Sequence, residues 1–272
     1  MSYRELAPPA ALRPYVDRLW TRVPDLTEPG RSDGLERVTG SLATASPSLI
    51  LPDGCIDVIV DVRTGAARVV GTMTRAVIDS VPPRVSFASV RFKPGAARAF
   101  LRVPAAELTD RVLEADELGC GWLSTRPAPE DEPSSVAEAL TALERALLER
   151  LPAATLQSEV REATRRLLSA QPPAIDSLAR DLGRSRQHLA RQFRENVGVS
   201  PKEFARVARL QRAIAAVQGA RAIGLAELAI ELGYYDQAHM SRDFDDLAGL
   251  TPRAAREARG SIFPIPSLWL EA

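Results

Sequence analysis

A duplication near the C-terminal end constrains this chain more than any other feature. Residues 177–201 read SLARDLGRSRQHLARQFRENVGVSP, and residues 227–252 read ELAIELGYYDQAHMSRDFDDLAGLTP. Leu178, Ala179, Leu182 and Gly183 align with Leu228, Ala229, Leu232 and Gly233. After one extra residue in the second copy, Leu189, Arg191, Phe193, Gly198 and Pro201 align with Met240, Arg242, Phe244, Gly249 and Pro252. A unit this short cannot bury its own apolar face unaided, so the repeat implies one supersecondary motif used twice on a shared support.

The residue types identify the motif. In the first copy Ile175, Leu178, Ala179 and Leu182 share a helical face, and Gly183 can take the left-handed conformation that ends a helix. Ser185 suits the N-cap of a second helix, whose buried face is Leu189, Phe193 and Val197. Gln187, Ala190 and Arg191 then point outward with Arg186 and Arg194. The second copy substitutes Leu225, Leu228, Ala229 and Leu232 for the first stripe, Gly233 for the stop and Asp236 for the cap. Met240, Phe244 and Leu247 face inward; Gln237, Ala238, Ser241 and Arg242 face outward. Lys202 to Val217 reads as one continuous helix joining the copies, roughly 16 residues or about 24 Å long. Two helix–turn–helix units with matched arginines on their second helices point to recognition of double-stranded DNA. Arginine can pair bidentately with a guanine edge and glutamine with adenine, whereas alanine offers only an apolar contact. Arg186, Arg194 and Lys202 suit phosphate contacts.

Charge supports this reading by its distribution, since the whole chain balances 35 Lys and Arg against 35 Asp and Glu. The basic excess concentrates in 176–212, with nine basic residues against four acidic ones. The second copy is poorer: 221–259 holds five basic and seven acidic residues, Asp243, Asp245 and Asp246 among them. Phosphate repulsion by these acids is expected to make the second unit the weaker reader. His188 and His239, the only histidines, sit beside core positions and read as packing or phosphate contacts, not catalysts.

The stretches LARDLGRSRQHLARQFRENVGVSPKEFARVARLQRAI (178–214) and LAELAIELGYYDQAHMSRDFDDLAGLTPRAAR (225–256) closely resemble the C-terminal domain of AraC/XylS-type transcription regulators. The resemblance spans about residues 157–259. It implies seven helices in two subdomains joined by the long helix, with Ser185–Asn196 and Asp236–Leu247 entering adjacent major grooves. It places base contacts at Gln187, Ala190, Arg191, Gln237, Ala238, Ser241 and Arg242. Double-stranded DNA is the implied partner, with room for RNA polymerase, a small-molecule effector and a homodimer.

The front of the chain reads as β-rich. Ile56 to Asp61, a turn at 63–66 and Arg68 to Val70 form a candidate hairpin. Val85 to Phe92 is a further strand, and Ala96 to Arg102 one or two helical turns. The pieces LRPYVDRLW, LPDGCIDVIVD, VVGTMTRA and VRFKPGAARAFL resemble the β-rich domain found ahead of a subset of the same family. That resemblance implies a small cupin-like barrel that senses a small molecule or mediates dimerisation. No histidine stands in this half, so metal-dependent cupin chemistry is not expected, nor any cofactor. Trp20, Cys55, Asp57 and Arg91 are the candidate effector residues. Trp20 reads as core or ligand wall, Cys55 as a buried small hydrophobe or a sensor thiol. Asp57 faces solvent or pairs with Arg91 in a pocket.

The expected architecture is α+β. A β-rich domain at 1–125 is followed by a linker and connecting helix at 126–156. The double helix–turn–helix domain occupies 157–259 and a short tail 260–272, whose Phe263, Ile265, Leu268 and Trp269 are expected to pack onto the body. Val136 to Leu151 and Leu156 to Leu168 carry helical periodicity. No run of about 18 apolar residues exists for a membrane span. Two cysteines and the absence of a signal-peptide pattern suggest a cytoplasmic protein. No catalytic motif suggests an enzyme. Two alternatives remain open: a Cys55-dependent thiol sensor or enzyme fused to a DNA-binding domain, and a helical interaction module that never meets DNA.

Overall fold

A computed structural model describes residues 2–23, 48–79, 85–126, 133–219 and 224–258. The expected packing of Phe263, Ile265, Leu268 and Trp269 lies outside the described residues, as does most of the 126–135 linker.

Among the described residues eight strands precede the main helices: β1 (Ser2–Leu6), β2 (Val16–Val23), β3 (Ser48–Ile50), β4 (Ile56–Asp61), β5 (Ala67–Val70), β6 (Val77–Asp79), β7 (Phe87–Phe92) and β8 (Val112–Glu114). Six form one antiparallel sheet in the order β1-β2-β7-β4-β5-β8, and β3 pairs with β6 in a separate two-stranded ribbon. The expected hairpin is β4–β5. Among the described residues, however, the barrel does not close: β1 and β8 are the two edges of an open sheet. Closure needs those edges to pair, and β8, at three residues, offers too short a ladder.

The alternation of β4 explains the two faces of the sheet. Ile56, Val58 and Val60 are buried on one side, while Asp57, Ile59 and Asp61 are only partly buried on the other. The first face is covered by α1 (Arg98–Leu101) and by α2 (Pro133–Arg150). Val136, Ala139, Leu140, Leu143 and Leu147 of α2 join the same hydrophobic cluster as Val58, Val69 and Phe92. The helix expected to connect the domains is thus part of the core of the front one. The second face carries, by strand register, Arg91 beside Asp57 and Val70 next to it, with Ser89, Ile59 and Arg68 one row away.

Among the described residues seven helices follow: α3 (Ser158–Leu168), α4 (Ile175–Asp181), α5 (Arg186–Val197), α6 (Pro201–Gln218), α7 (Leu225–Glu231), α8 (Gln237–Ala248) and α9 (Pro252–Glu257). This is the number implied for two subdomains on one long helix. One half of α6 (Phe204, Val207, Ala208) packs with Leu178, Leu189 and Phe193; the other (Leu210, Ala213, Ile214, Val217) packs with Leu228, Met240 and Phe244. The start of α6 is fixed by a reciprocal capping box between Ser200 and Glu203, with Pro201 in the first turn.

The front domain docks on both helical subdomains. Thr72 Oγ1 donates to the carbonyl of Val197 at 2.6 Å and Thr109 Oγ1 to that of Gly198 at 2.9 Å. Gln211 Nε2 of α6 donates to the carbonyl of Pro52 at 2.6 Å, and the Ala76 N–H donates to the carbonyl of Leu247 at 2.7 Å. Leu51 is buried in the core of the second subdomain, with Leu49 and Ala76 packed against it.

Candidate nucleic-acid interface and internal cavity

Both turns are built as the sequence suggests. Gly183 and Gly233 adopt positive φ (67° and 77°), the region where a side chain is strained. Ser185 then caps α5 by accepting the N–H of His188, and Asp236 caps α8 by accepting that of His239. Leu189, Phe193 and Val197 are buried under α5, and Met240, Phe244 and Leu247 under α8. That burial fixes which face remains in solvent. Gln187 and Arg191 on α5, and Gln237, Ala238 and Arg242 on α8, are exposed; Ala190 and Ser241 are half-buried.

The cations differ in how free they are. Arg191, Arg194, Lys202 and Arg242 have no carboxylate within ion-pair distance among the described residues. Arg191 leans towards His188 Nδ1 at 3.5 Å, and Arg242 Nε donates back to the carbonyl of Ala238 at 3.3 Å. Arg186 faces Asp176 at 3.4 Å on an exposed surface, a pair that DNA would have little difficulty in exchanging. His188 lies 3.8 Å from Glu159, and the His239 ring accepts the Tyr235 N–H at 3.3 Å and packs edge-on against Tyr234.

One expectation about this surface is overturned. Asp243 does not face DNA: it is buried, with Arg206 Nε 2.5 Å from one oxygen and Arg209 Nη2 2.8 Å from the other. Arg206 also pairs with Asp246. These acids brace α8 against α6, which leaves Asp245 as the exposed, unpaired member of the three. The spacing held the signal. Asp243 falls three residues after Met240 and four before Leu247, on the buried face, and its partners are a turn apart on α6. The second unit is still poorer in available cations, because its nearby arginines are committed internally.

A cavity of about 270 Å³ lies between the second face of the sheet and the β3–β6 ribbon. The four residues singled out from the sequence, Trp20, Cys55, Asp57 and Arg91, all line it, together with Asp53, Ile59, Arg68, Val70, Phe87 and Arg111. Arg91 donates Nε and Nη2 to the two oxygens of Asp57 at 3.0 and 2.9 Å, a bidentate pair. Asp53, Arg68 and Arg111 were not legible as site residues; the alternation of β5 does put Arg68 on the face of Val70. Cys55 is buried, and burial, reinforced by the charge of Asp53, pushes its thiol well above the usual range. A thiol held protonated this way is a poor nucleophile, which removes the support for a thiol-reactive sensor. Among the described residues no cluster of three or more metal-ligating side chains occurs, and no helix is long and apolar enough to cross a membrane.

Residues 4–114 match the family described as "Domain of unknown function (DUF6597)", and residues 178–258 match the family described as "Helix-turn-helix domain". No protein of curated function matches the chain. Among solved structures, a transcriptional regulator with an AraC-type DNA-binding domain from Chromobacterium violaceum is 25% identical. The match covers 38% of this chain and 92% of that one, with a TM-score of 0.35. The C-terminal domain of AraT, a response regulator from Geobacillus stearothermophilus, is 24% identical over 39% of this chain and 89% of that one, with a TM-score of 0.36. A variant of ToxT from Vibrio cholerae is 12% identical over 78% of this chain and 88% of that one, with a TM-score of 0.40. The capped turns, the doubled motif on one long helix and the family match at 178–258 make the C-terminal region of this chain a helix–turn–helix domain.

Proposed function

We propose that the chain is a sequence-specific transcription regulator that sets α5 and α8 into successive major grooves and is controlled through the cavity of its front domain. The carrying observation is the pair of capped recognition helices on one rigid helix, each presenting an outward arginine with no carboxylate partner. In this reading Arg191 and Arg242 read guanine, Gln187 and Gln237 read adenine, Ser241 reads either, and Ala190 and Ala238 contact thymine methyls. Arg194 and Lys202 hold phosphates, and Arg186 joins them once released from Asp176. The 18 residues of α6 span about 27 Å, short of the ~34 Å between successive faces of the major groove, so the DNA bends or the units tilt.

Sensing is favoured over dimerisation as the role of the front domain because the cavity adjoins its contacts with the helical half. Asp53, Met73, Val77 and Asp110 line the cavity, and each is one residue from a hydrogen bond to that half, at Pro52, Thr72, Ala76 and Thr109. Selection of bound sequences from a random DNA pool, followed by titration of the selected duplex between 50 and 200 mM salt, tests the reading. The expected result is one bipartite site and an affinity that falls steeply with salt. No affinity at any salt would refute it and leave a helical interaction module.

A further inference from the structure

The cavity is electrically lopsided in a way that specifies its occupant. At its inner end a buried carboxylate, Asp53, and a partly buried one, Asp57, share one guanidinium. Arg91 directs Nε and Nη2 to Asp57 at 3.0 and 2.9 Å, whereas Asp53 reaches the same Nη2 only at 3.7 Å. Asp53 Oδ1 accepts the Cys55 N–H at 2.9 Å, and its Oδ2 has no hydrogen bond in the described structure. This oxygen thus opens on the cavity with a distant ion-pair contact to Arg91 and no hydrogen bond, which leaves it free to accept one from an occupant.

On the outer wall the imbalance is reversed. Arg68 and Arg111 line the same cavity with no carboxylate within ion-pair distance among the described residues. Arg68 lies over the Phe87 ring at 5.9 Å, and Arg111 Nη1 donates only to the carbonyl of Glu107 at 2.9 Å. Asp110, the acid on that wall, is engaged by the N–H and hydroxyl of Thr74, each at 2.7 Å. Between the two ends the lining is mostly apolar, with Arg22 of β2, opposite Phe87 and engaged in an interaction of its own, reaching the same cavity. Strand register sets Asp57 opposite Val70, with Arg68 two residues further along β5, so the ends are about 8 Å apart along the sheet. A cavity of about 270 Å³ sits just under the usual range for small-molecule sites.

We propose that this cavity binds a compact zwitterion, its primary ammonium hydrogen-bonded to Asp53, its carboxylate held by Arg68 and Arg111, and its apolar body lying on Ile59, Val70 and Phe87. The ammonium supplies the cation missing from the inner end, and the carboxylate supplies the anion missing from the outer wall. A monoanion would leave Asp53 without a donor, and a monocation would meet two unpaired guanidiniums.

This inference rests on the reading of the cavity as an effector site, and the experiment separates the two. Calorimetric titration of the full chain uses four matched probes: 4-(aminomethyl)benzoate, benzylamine, benzoate and benzyl alcohol. The zwitterion is expected to bind at least about tenfold more tightly than either half-molecule, since each added ion pair in a shielded site is worth on the order of a factor of ten. Asp53→Asn should reduce its affinity to that of benzoate, and Arg68→Gln to that of benzylamine, with cooperative melting showing both variants folded. If benzoate or benzylamine binds the parent chain as tightly as the zwitterion, the zwitterion assignment is overturned and the cavity reading stands. If no probe binds, the assignment is overturned too. A cavity-filling Val70→Trp variant, checked by melting, then decides the reading beneath it: unchanged operator affinity removes the effector role, whereas altered affinity preserves it.

Discussion

Replacing Asp243 distinguishes two opposite accounts of the second recognition helix. If the acid faced DNA, Asp243→Ala would remove a charge that repels phosphate, leave the fold intact and tighten operator binding. The structure predicts the reverse. The variant loses two charge-assisted hydrogen bonds, from Arg206 at 2.5 Å and Arg209 at 2.8 Å. Each such bond contributes roughly 1.5–3 kcal/mol. The arginine side chains are 35% and 23% exposed, so they recover part of their hydration when released. A net loss of about 2–3 kcal/mol follows for Asp243→Ala, and about half of that for Asp243→Asn, which keeps one acceptor oxygen. Denaturant unfolding monitored by circular dichroism reads the loss, and titration with operator DNA reads the affinity, which should fall as α8 loses its brace against α6. Asp245→Asn supplies the control, because that exposed acid has no ion pair. It should leave stability unchanged and raise affinity about twofold at low salt. The reasoning fails if Asp243→Ala unfolds at the parent's denaturant concentration and binds DNA more tightly than Asp245→Asn.

Arg191→Ala should cost about 1–3 kcal/mol of operator binding and Arg242→Ala less, because Arg194 and Lys202 support the first unit whereas Arg206 and Arg209 are committed to Asp243. Equal losses in mobility-shift titrations would refute that asymmetry. Gly54 sits at φ +72°, and a Cβ there would meet Phe204 Cε2 at 2.6 Å, so Gly54→Ala should loosen the front domain from α6. The expected cost is about 2 kcal/mol, visible as a lower melting temperature and faster proteolysis between the domains. Burial pushes Asp53 up to about 6 from 3.8, against the pull of Arg91 and with Asp57, Asp17 and the Cys55 N–H also acting on it. Between those values the unfolded chain has released a proton that the folded chain retains, so stability falls as pH rises through the window, by at most about 3 kcal/mol. Asp53→Asn should flatten that slope; an unchanged slope would show that another group titrates. Alkylation of Cys55 by iodoacetamide at neutral pH should be slow in the native chain and fast after unfolding.

Local physics was readable from the residues alone. The caps at Ser185 and Asp236, the glycine stops and the apolar faces of α5 and α8 depend on neighbours three or four positions away, and periodicity exposes them directly. The β4–β5 hairpin was legible for the same reason, since its register follows from alternation across a short turn. Closure of the sheet was not, because it depends on whether β1 and β8, with 105 residues between Leu6 and Val112, find each other. The role of Asp243 was only half legible in the sequence. Its position on the buried face was available, but the arginines that make burial tolerable lie on another helix.

Repetition and side-chain spacing alone were enough to specify a doubled helix–turn–helix domain, because a helix–turn–helix unit is held by contacts within about 25 residues of chain. The cavity of the front half could not be obtained that way. Trp20, Asp53, Asp57, Arg68, Arg91 and Arg111 come from separate strands and loops, and only the pairing of those strands and the ribbon above them encloses one cavity. The docking of that half on Val197, Gly198, Gln211 and Leu247 is likewise a product of long-range packing. Those contacts form only when surfaces far apart in sequence bury one another, and no local pattern encodes which surfaces those are.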